Sequence, residues 1–269
     1  MPIVNWNAFL LPYGQTVDAL CLKFNNIIEE YNVRGTPPPI RSVTGRVKKI
    51  GSILAKANRK GITPDRIKEE IEDIAGIRIQ CPYVEDIKKV IEIIRRHDGL
   101  DLKILRERDY ITNTKPSGYR SYHIMVRYCL VTAEGPQEIN CEIQIRTLAM
   151  DFWATSEHYL RYKYNGNIPV ELQKRLHSAA EAAFQLDREM SLIREEIQEV
   201  EKAEMASNDL VDEILANIQN LYFSTGLDQA NRMNQEFLGL FQEGDMQKLL
   251  DFNRRLGVMT DLYREEHGR

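Results

Sequence analysis

The chain has few of the residues that staple small secreted folds or hold zinc. Its four cysteines, Cys21, Cys81, Cys129 and Cys141, are scattered with no C-x-x-C pair, and its five histidines show no metal-ligand spacing. A disulfide framework and a zinc site are therefore not expected, and a reducing compartment is. No apolar run approaches the length of a membrane span, and the opening Met1-Pro-Ile-Val-Asn-Trp6 lacks a basic stretch followed by an apolar one. The expectation is a cytoplasmic protein without a membrane partner. Positive charge is not in surplus either: the formal charge is −4, so the surface as a whole does not advertise nucleic acid. One local absence points the other way. From Arg41 to Lys60 there are seven basic residues and no acidic one.

What is present is ordinary for a globular protein: 43% hydrophobic and 28% charged residues over 269 positions, enough for one good-sized core and an appendage. A helical rhythm runs over 14–31 until Thr36-Pro-Pro-Pro39 breaks it. A basic helix is expected over 44–58 with Gly61 as its stop, and another from Thr63-Pro64-Asp65 to Glu72-Asp73. The period then changes to two over 77–81, returns to helical over 84–96, and gives strands over 101–110, 119–131 and 138–146. A breaker-rich loop, 111–118, separates the second and third strands. This order predicts an α+β fold, a mixed sheet with helices on one face. From Ala149 on the pattern is helical, with a long helix over 169–206 and shorter ones between 209 and 266 jointed at Gly226 and Gly244.

Three groups of residues can carry chemistry. Lys48, Ser52, Lys56 and Arg59 fall at i, i+4, i+8 and i+11, one stripe of the expected basic helix, with Ile50, Ile53, Leu54 and Ala57 behind it. Such a stripe suits a polyphosphate; a solvated basic face is the plainer alternative. In Glu142-Ile-Gln-Ile-Arg146 the polar residues share one strand face. Asp73, just before the 77–81 strand, could meet Glu142, and two carboxylates can hold Mg²⁺ or accept a proton from a hydroxyl. Tyr119 follows Gly118 at a strand mouth and could stack on a purine, or be the edge of a tyrosine-rich hairpin. Two other signals carry less. The text from Gly45 to Ser52 lacks the spacing and ending of a phosphate loop, and the dipeptide His97-Asp98 has no earlier histidine to partner it.

Taken together, these residues resemble the synthetase domain of the RelA/SpoT homologue family, most of all its single-domain members, the small alarmone synthetases. The matching text is Val43-Thr-Gly-Arg-Val-Lys-Lys-Ile-Gly-Ser-Ile53, Ile74-Ala-Gly-Ile-Arg-Ile79, Glu107-Arg-Asp-Tyr-Ile111, Lys115-Pro-Ser-Gly-Tyr-Arg-Ser-Tyr-His123 and Glu142-Ile-Gln-Ile-Arg-Thr-Leu-Ala-Met-Asp-Phe-Trp-Ala-Thr155. The resemblance spans roughly residues 10–200 and implies a nucleotidyltransferase-like synthetase domain over 1–205, with a helical extension over 206–269. It implies transfer of pyrophosphate from ATP to the 3′-hydroxyl of GDP or GTP, with Mg²⁺ as cofactor and ppGpp or pppGpp as product of the stringent response. By the same resemblance Asp73 is a magnesium ligand and Glu142 the general base or second acidic ligand. Arg46 and Arg78 would bracket the adenine, and Lys48, Lys56 and Arg59, with Ser52 nearby, would hold the triphosphate. Tyr119 would stack on the guanine, Lys115, Arg108 and His123 would line its phosphate and ribose side, and Gln144 and Glu157 would shape the pocket. Homotetramers formed through terminal helices are implied as well.

Two rivals stand beside this reading. Toxin-like relatives pyrophosphorylate other acceptors, such as ATP or the 3′ end of tRNA; a tRNA acceptor calls for a second positive surface, which the sequence does not offer. A degenerate fold kept as a regulatory nucleotide-binding module is the other, and the joint presence of Asp73, Glu142, Arg46, Lys56 and Tyr119 speaks against it. Phe237, Leu240, Phe241, Leu249, Leu250, Phe252 and Leu262 are expected to pack as a helical hairpin in the extension.

Overall fold

The computed structural model describes residues 5–164, 168–225 and 227–267. The chain divides into two compact units, Met1–Leu192 and Ile193–Arg269. In the first, helix α1 (Trp6–Val33) leads into strand β1 (Ser42–Val47) and helix α2 (Ile50–Lys60). A 3₁₀ turn and the short α3 (Ile67–Glu70) precede β2 (Ala75–Cys81), α4 (Val84–Arg96) and β3 (Leu102–Asp109). Strands β4 (Tyr122–Thr132) and β5 (Gly135–Thr147) form a hairpin, followed by α5 (Leu148–Lys163) and the long α6 (Val170–Thr225).

The five strands make one mixed sheet in the order β1-β2-β5-β4-β3, in which only the β2–β5 pair is parallel. The α+β expectation holds, with one more strand than the sequence pattern gave. Alternation decides which way the sheet faces. Ala75, Ile77, Ile79 and Cys81 of β2 and Cys141, Ile143 and Ile145 of β5 are buried on one side, where α1 and α4 pack. In α4, Ile87, Val90, Ile91 and Ile94 supply the apolar stripe at helical spacing, with Glu85 and Asp86 in the first turn and Arg95 and Arg96 in the last, as the helix dipole favours. The opposite side of the sheet is left to polar residues.

The single helix expected over 44–58 is corrected. Residues 42–47 are a strand paired with β2, and only 50–60 are helical. Val43 and Val47 are β-branched and alternate, and Gly45 lets α1 close onto the strand: a Cβ there would lie 2.2 Å from Val17 Cγ1 and 2.9 Å from Cys21 Sγ. Lys48 therefore lies between strand and helix, off the helical stripe. Of the four apolar residues placed behind that stripe, Ile53 and Ala57 are buried while Leu54 is exposed. Gly61 ends α2 in the left-handed conformation, as expected.

The long helix also runs further than its pattern suggested, to Thr225 rather than 206, since 170–225 contains no glycine or proline. In the second unit, α7 (Leu227–Glu243) and α8 (Met246–His267) follow, with the joint at Gly244 borne out and Gly226 outside the described residues. Their core joins Leu210, Ile214, Ile218 and Leu221 of α6 to Phe237, Leu249, Phe252 and Leu256. It is a three-helix arrangement rather than a hairpin. Phe241, Leu250 and Leu262 remain exposed.

Candidate active site

The parallel register of β2 with β5 assembles the polar face. Thr44 pairs with Arg78, Arg78 with Gln144, Gln144 with His123 and His123 with Arg108, one row across all five strands. The next row is Arg46, Gly76, Glu142, Met125 and Arg106. Simple alternation would place Arg106 and Arg108 on the same side as Ile104, which pairs with the buried Val126. A bulge between Ile104 and Arg106 shifts the register and turns both arginines onto the polar face.

Asp73 sits in the turn before β2. Both its oxygens are occupied: Lys48 Nζ lies 2.6 Å from Oδ2 and Lys56 Nζ 2.7 Å from Oδ1. Burial pushes its carboxyl up, but the hydrogen bonds and charges of the two lysines outweigh that and hold it below the ordinary value. Glu142 accepts from Gln144 Nε2 at 2.7 Å and is 3.2 Å from His123 Nδ1. Burial raises its pKa too, yet His123 and Gln144 win and lower it to about 2, so it is ionised throughout the neutral range. The two acids line one cavity of about 90 Å³ together with Arg46, Gly76, Arg78 and Gln144. They also line a second, of about 220 Å³, with Lys56, Lys60, Arg106 and Arg108.

A larger cavity of about 570 Å³ opens beside them, sharing Arg46, Arg78 and Gln144 and adding Lys115, Ser117, Tyr119, Arg146, Thr155, Glu157, His158 and Arg161. Gly118 turns the chain into Tyr119 with φ +87, and a Cβ there would lie 2.5 Å from Ala180 Cβ, so the loop is seated closely on α6. Lys115 Nζ lies 4.3 Å from the Tyr110 ring centre and 4.6 Å from that of Tyr119. Tyr119 Oη is bonded to His123 Nε2 at 2.7 Å and to Arg146 Nη2 at 2.6 Å. Behind this wall, buried Asp151 is ion-paired with Arg78 Nη1 at 3.0 Å and accepts from Arg146 Nη1 at 3.2 Å and Gln80 Nε2 at 2.6 Å.

Residues 45–167 match a family described as a region found in RelA / SpoT proteins. Over 198 residues the chain is 50% identical to the GTP pyrophosphokinase YjbM of Bacillus subtilis, covering 74% of this chain and 92% of that protein. The chain belongs to the RelA/SpoT family. Its fold matches the crystal structure of B. subtilis small alarmone synthetase 1 bound to its product pppGpp, with a TM-score of 0.68 and 50% identity over 72% of this chain and 98% of the other. The same enzyme bound to AMPCPP matches with a TM-score of 0.64 and 46% identity over the same shares. This family member is thus a small alarmone synthetase homologue over most of its length.

The structure brings most of the sequence-derived residues of this RelA/SpoT protein to one place. Asp73, Glu142, Arg46, Arg78, Gln144, Lys115, Tyr119 and Glu157 line the contiguous cavities, and Lys56 and Arg108 line the one of about 220 Å³. Lys48 reaches the site through Asp73, and His123 lies behind Tyr119 and Glu142. Ser52 and Arg59 are exposed on α2 and line none of these three cavities. Asp151 and Arg161 escaped the sequence reading. Asp151 lies nine residues beyond Glu142 on the following helix, and only its burial among cations marks it. Among the described residues no three potential ligands cluster, and the pair Asp73–Glu142 supplies hard oxygen only. That set fits Mg²⁺, which keeps several waters and takes one or two carboxylates with substrate phosphates. Among the described residues no helix is long and apolar enough to cross a membrane.

Proposed function

We propose that this chain is a magnesium-dependent GTP pyrophosphokinase that moves the β,γ-pyrophosphate of ATP to the 3′-hydroxyl of GDP or GTP. The observation that carries it is the joining of two ionised carboxylates to a nucleotide-sized cavity in a chain half identical to a synthetase solved with pppGpp. AMPCPP is ATP with a carbon bridging its α and β phosphates, so the neighbouring complex supports an ATP donor site as well. On this reading Arg46 and Arg78 flank the adenine, while Lys48, Lys56 and Arg59 take the triphosphate with Ser52 beside them. Tyr119 stacks on the guanine, Lys115, Arg108 and His123 face the acceptor's phosphates and ribose, and Gln144 and Glu157 shape its pocket.

Asp73 and Glu142 would hold Mg²⁺, whose charge would offset that of the transferring phosphates. The protein's own task is alignment and charge neutralisation. The 3′-oxygen bonds to the β-phosphorus, the bond from the β-phosphorus to the α,β-bridging oxygen breaks, and AMP leaves. Glu142 receives the proton. Its low pKa makes it a weak base but an ionised acceptor: each oxygen already takes one hydrogen bond and has a lone pair left for the 3′-hydroxyl. The synthetase unit is read as 1–205, and assembly as a homotetramer through terminal helices, in the stringent response.

The test uses ATP labelled at its terminal phosphate, Mg²⁺ and GDP or GTP, with products separated by thin-layer chromatography. Labelled ppGpp or pppGpp is expected from the wild type, and Glu142→Gln should lower turnover about a hundredfold or more. Label on added tRNA, or no product at all, would overturn the reading.

A further inference from the structure

Arg146 is almost completely buried, at 4% exposure, beneath the wall of the large cavity. Its guanidinium is used on every side: Nε donates to Ser121 Oγ at 3.2 Å and Nη1 to Asp151 Oδ1 at 3.2 Å. Nη2 reaches two acceptors at once, Tyr119 Oη at 2.6 Å and Gln144 Oε1 at 2.7 Å. From those two the bonds run on and meet again. Gln144 Nε2 donates to Glu142 Oε2 at 2.7 Å. On the other branch, Tyr119 Oη is 2.7 Å from His123 Nε2, and His123 Nδ1 is 3.2 Å from Glu142 Oε1. An ionised carboxylate only accepts, so His123 Nδ1 donates to Glu142, while Nε2 meets the Tyr119 hydroxyl on the other side of the imidazole. The ring Arg146–Tyr119–His123–Glu142–Gln144 thereby closes.

We propose that Arg146 is a positioning residue for pyrophosphate transfer, tying the tyrosine that seats the acceptor's base to the carboxylate that takes its proton. This rests on the roles of Tyr119 and Glu142 given above. Swinging the Tyr119 ring to meet a base that does not fit it breaks two bonds in the ring, and both lead to Glu142. A base that stacks without moving the tyrosine leaves Glu142 where the 3′-hydroxyl arrives, so seating of the acceptor and readiness of the carboxylate become one condition. Only a planar fork can serve Tyr119 and Gln144 from one nitrogen while Asp151 and Ser121 hold the rest; a lysine cannot.

The test compares wild type with Tyr119→Phe, Arg146→Lys and the double variant, by steady-state kinetics with ATP and GTP. Tyr119→Phe keeps the stacking ring and loses only the hydroxyl. It should lower kcat about tenfold or more while KM for GTP stays within about threefold. Arg146→Lys should lower kcat similarly, and the double variant should be no worse than the worse single one, because both cut the same ring. In ¹⁵N-histidine NMR spectra of the full chain, a slowly exchanging His123 imidazole N–H should be present in wild type and absent from both variants. Thermal melting identifies a variant that has merely failed to fold, and Tyr119→Phe keeps the test decisive if Arg146→Lys does so. Wild-type kcat in Tyr119→Phe, additive losses in the double variant, or an unchanged His123 signal in folded Arg146→Lys would each overturn the proposal. A wild type that shows the imidazole signal but makes no product would instead sink the functional reading and leave the ring purely structural.

Discussion

Carboxylates in this protein are tuned in opposite directions by what surrounds them. Asp187, on α6, is buried and hydrogen-bonded by Thr147 Oγ1 at 2.6 Å. Burial pushes its pKa up to about 6, with Glu85 adding to the rise while Thr147 and Arg120 oppose it. The folded state therefore binds this proton more tightly than the unfolded chain. The stability it contributes is present below about pH 4 and lost as pH rises towards 6. Asp187→Asn should flatten that slope and stabilise the protein at pH 7.5 by about 1–3 kcal/mol, read from denaturant melts at both pH values. Glu142 works in the other sense. Its pKa of about 2 means that its stabilisation is held above about 4.5 and lost as pH falls towards 2. Sequence reasoning found Glu142 from its place in an alternating strand. It could not find Asp187, whose neighbours come from three separate stretches of chain.

At the scale of elements, β1 shows where local pattern fails. A basic run with apolar residues at helical spacing reads as a helix, yet its first four residues, 44–47, are drawn into the sheet, because pairing with β2 and packing under α1 outweigh local preference. Gly45 is the contact that permits this. Gly45→Ala should push α1 off the strand and cost about 1–3 kcal/mol, measurable as a lower melting temperature. An unchanged melting point would mean that α1 and β1 are not held at this spacing in solution. The strands β2 and β5, by contrast, were legible within a few residues, since their alternation is set by burial on one face alone. The bulge in β3 was not legible: it adds one residue with no local signature and decides which face Arg106 and Arg108 occupy.

As a whole, the molecule separates its chemistry from its C-terminal helices. The second unit has its own apolar core around Phe252 and Leu256, both fully buried, and among the described residues it contributes none of those lining the three site cavities. A chain ending at residue 205 should keep pyrophosphate transfer within about threefold of the full chain, a barrier change under about 0.7 kcal/mol. Loss of transfer in that shorter chain, if it remains folded by circular dichroism, would assign the extension a part in catalysis.

The sequence by itself determined the family, the α+β character and the chemical types of the site residues, because those depend on ordered motifs and on burial periods that repeat along single elements. It also placed Asp73 and Glu142 before their strands were known to touch. Only the tertiary structure decided that both oxygens of Asp73 are held by lysines, one from the β1–α2 turn and one from α2, that Asp151 braces Arg78 and Arg146, and that four other side chains close a ring with Glu142. Those facts depend on strand register and on helix placement across the sheet, where a shift of one residue turns a side chain to the opposite face.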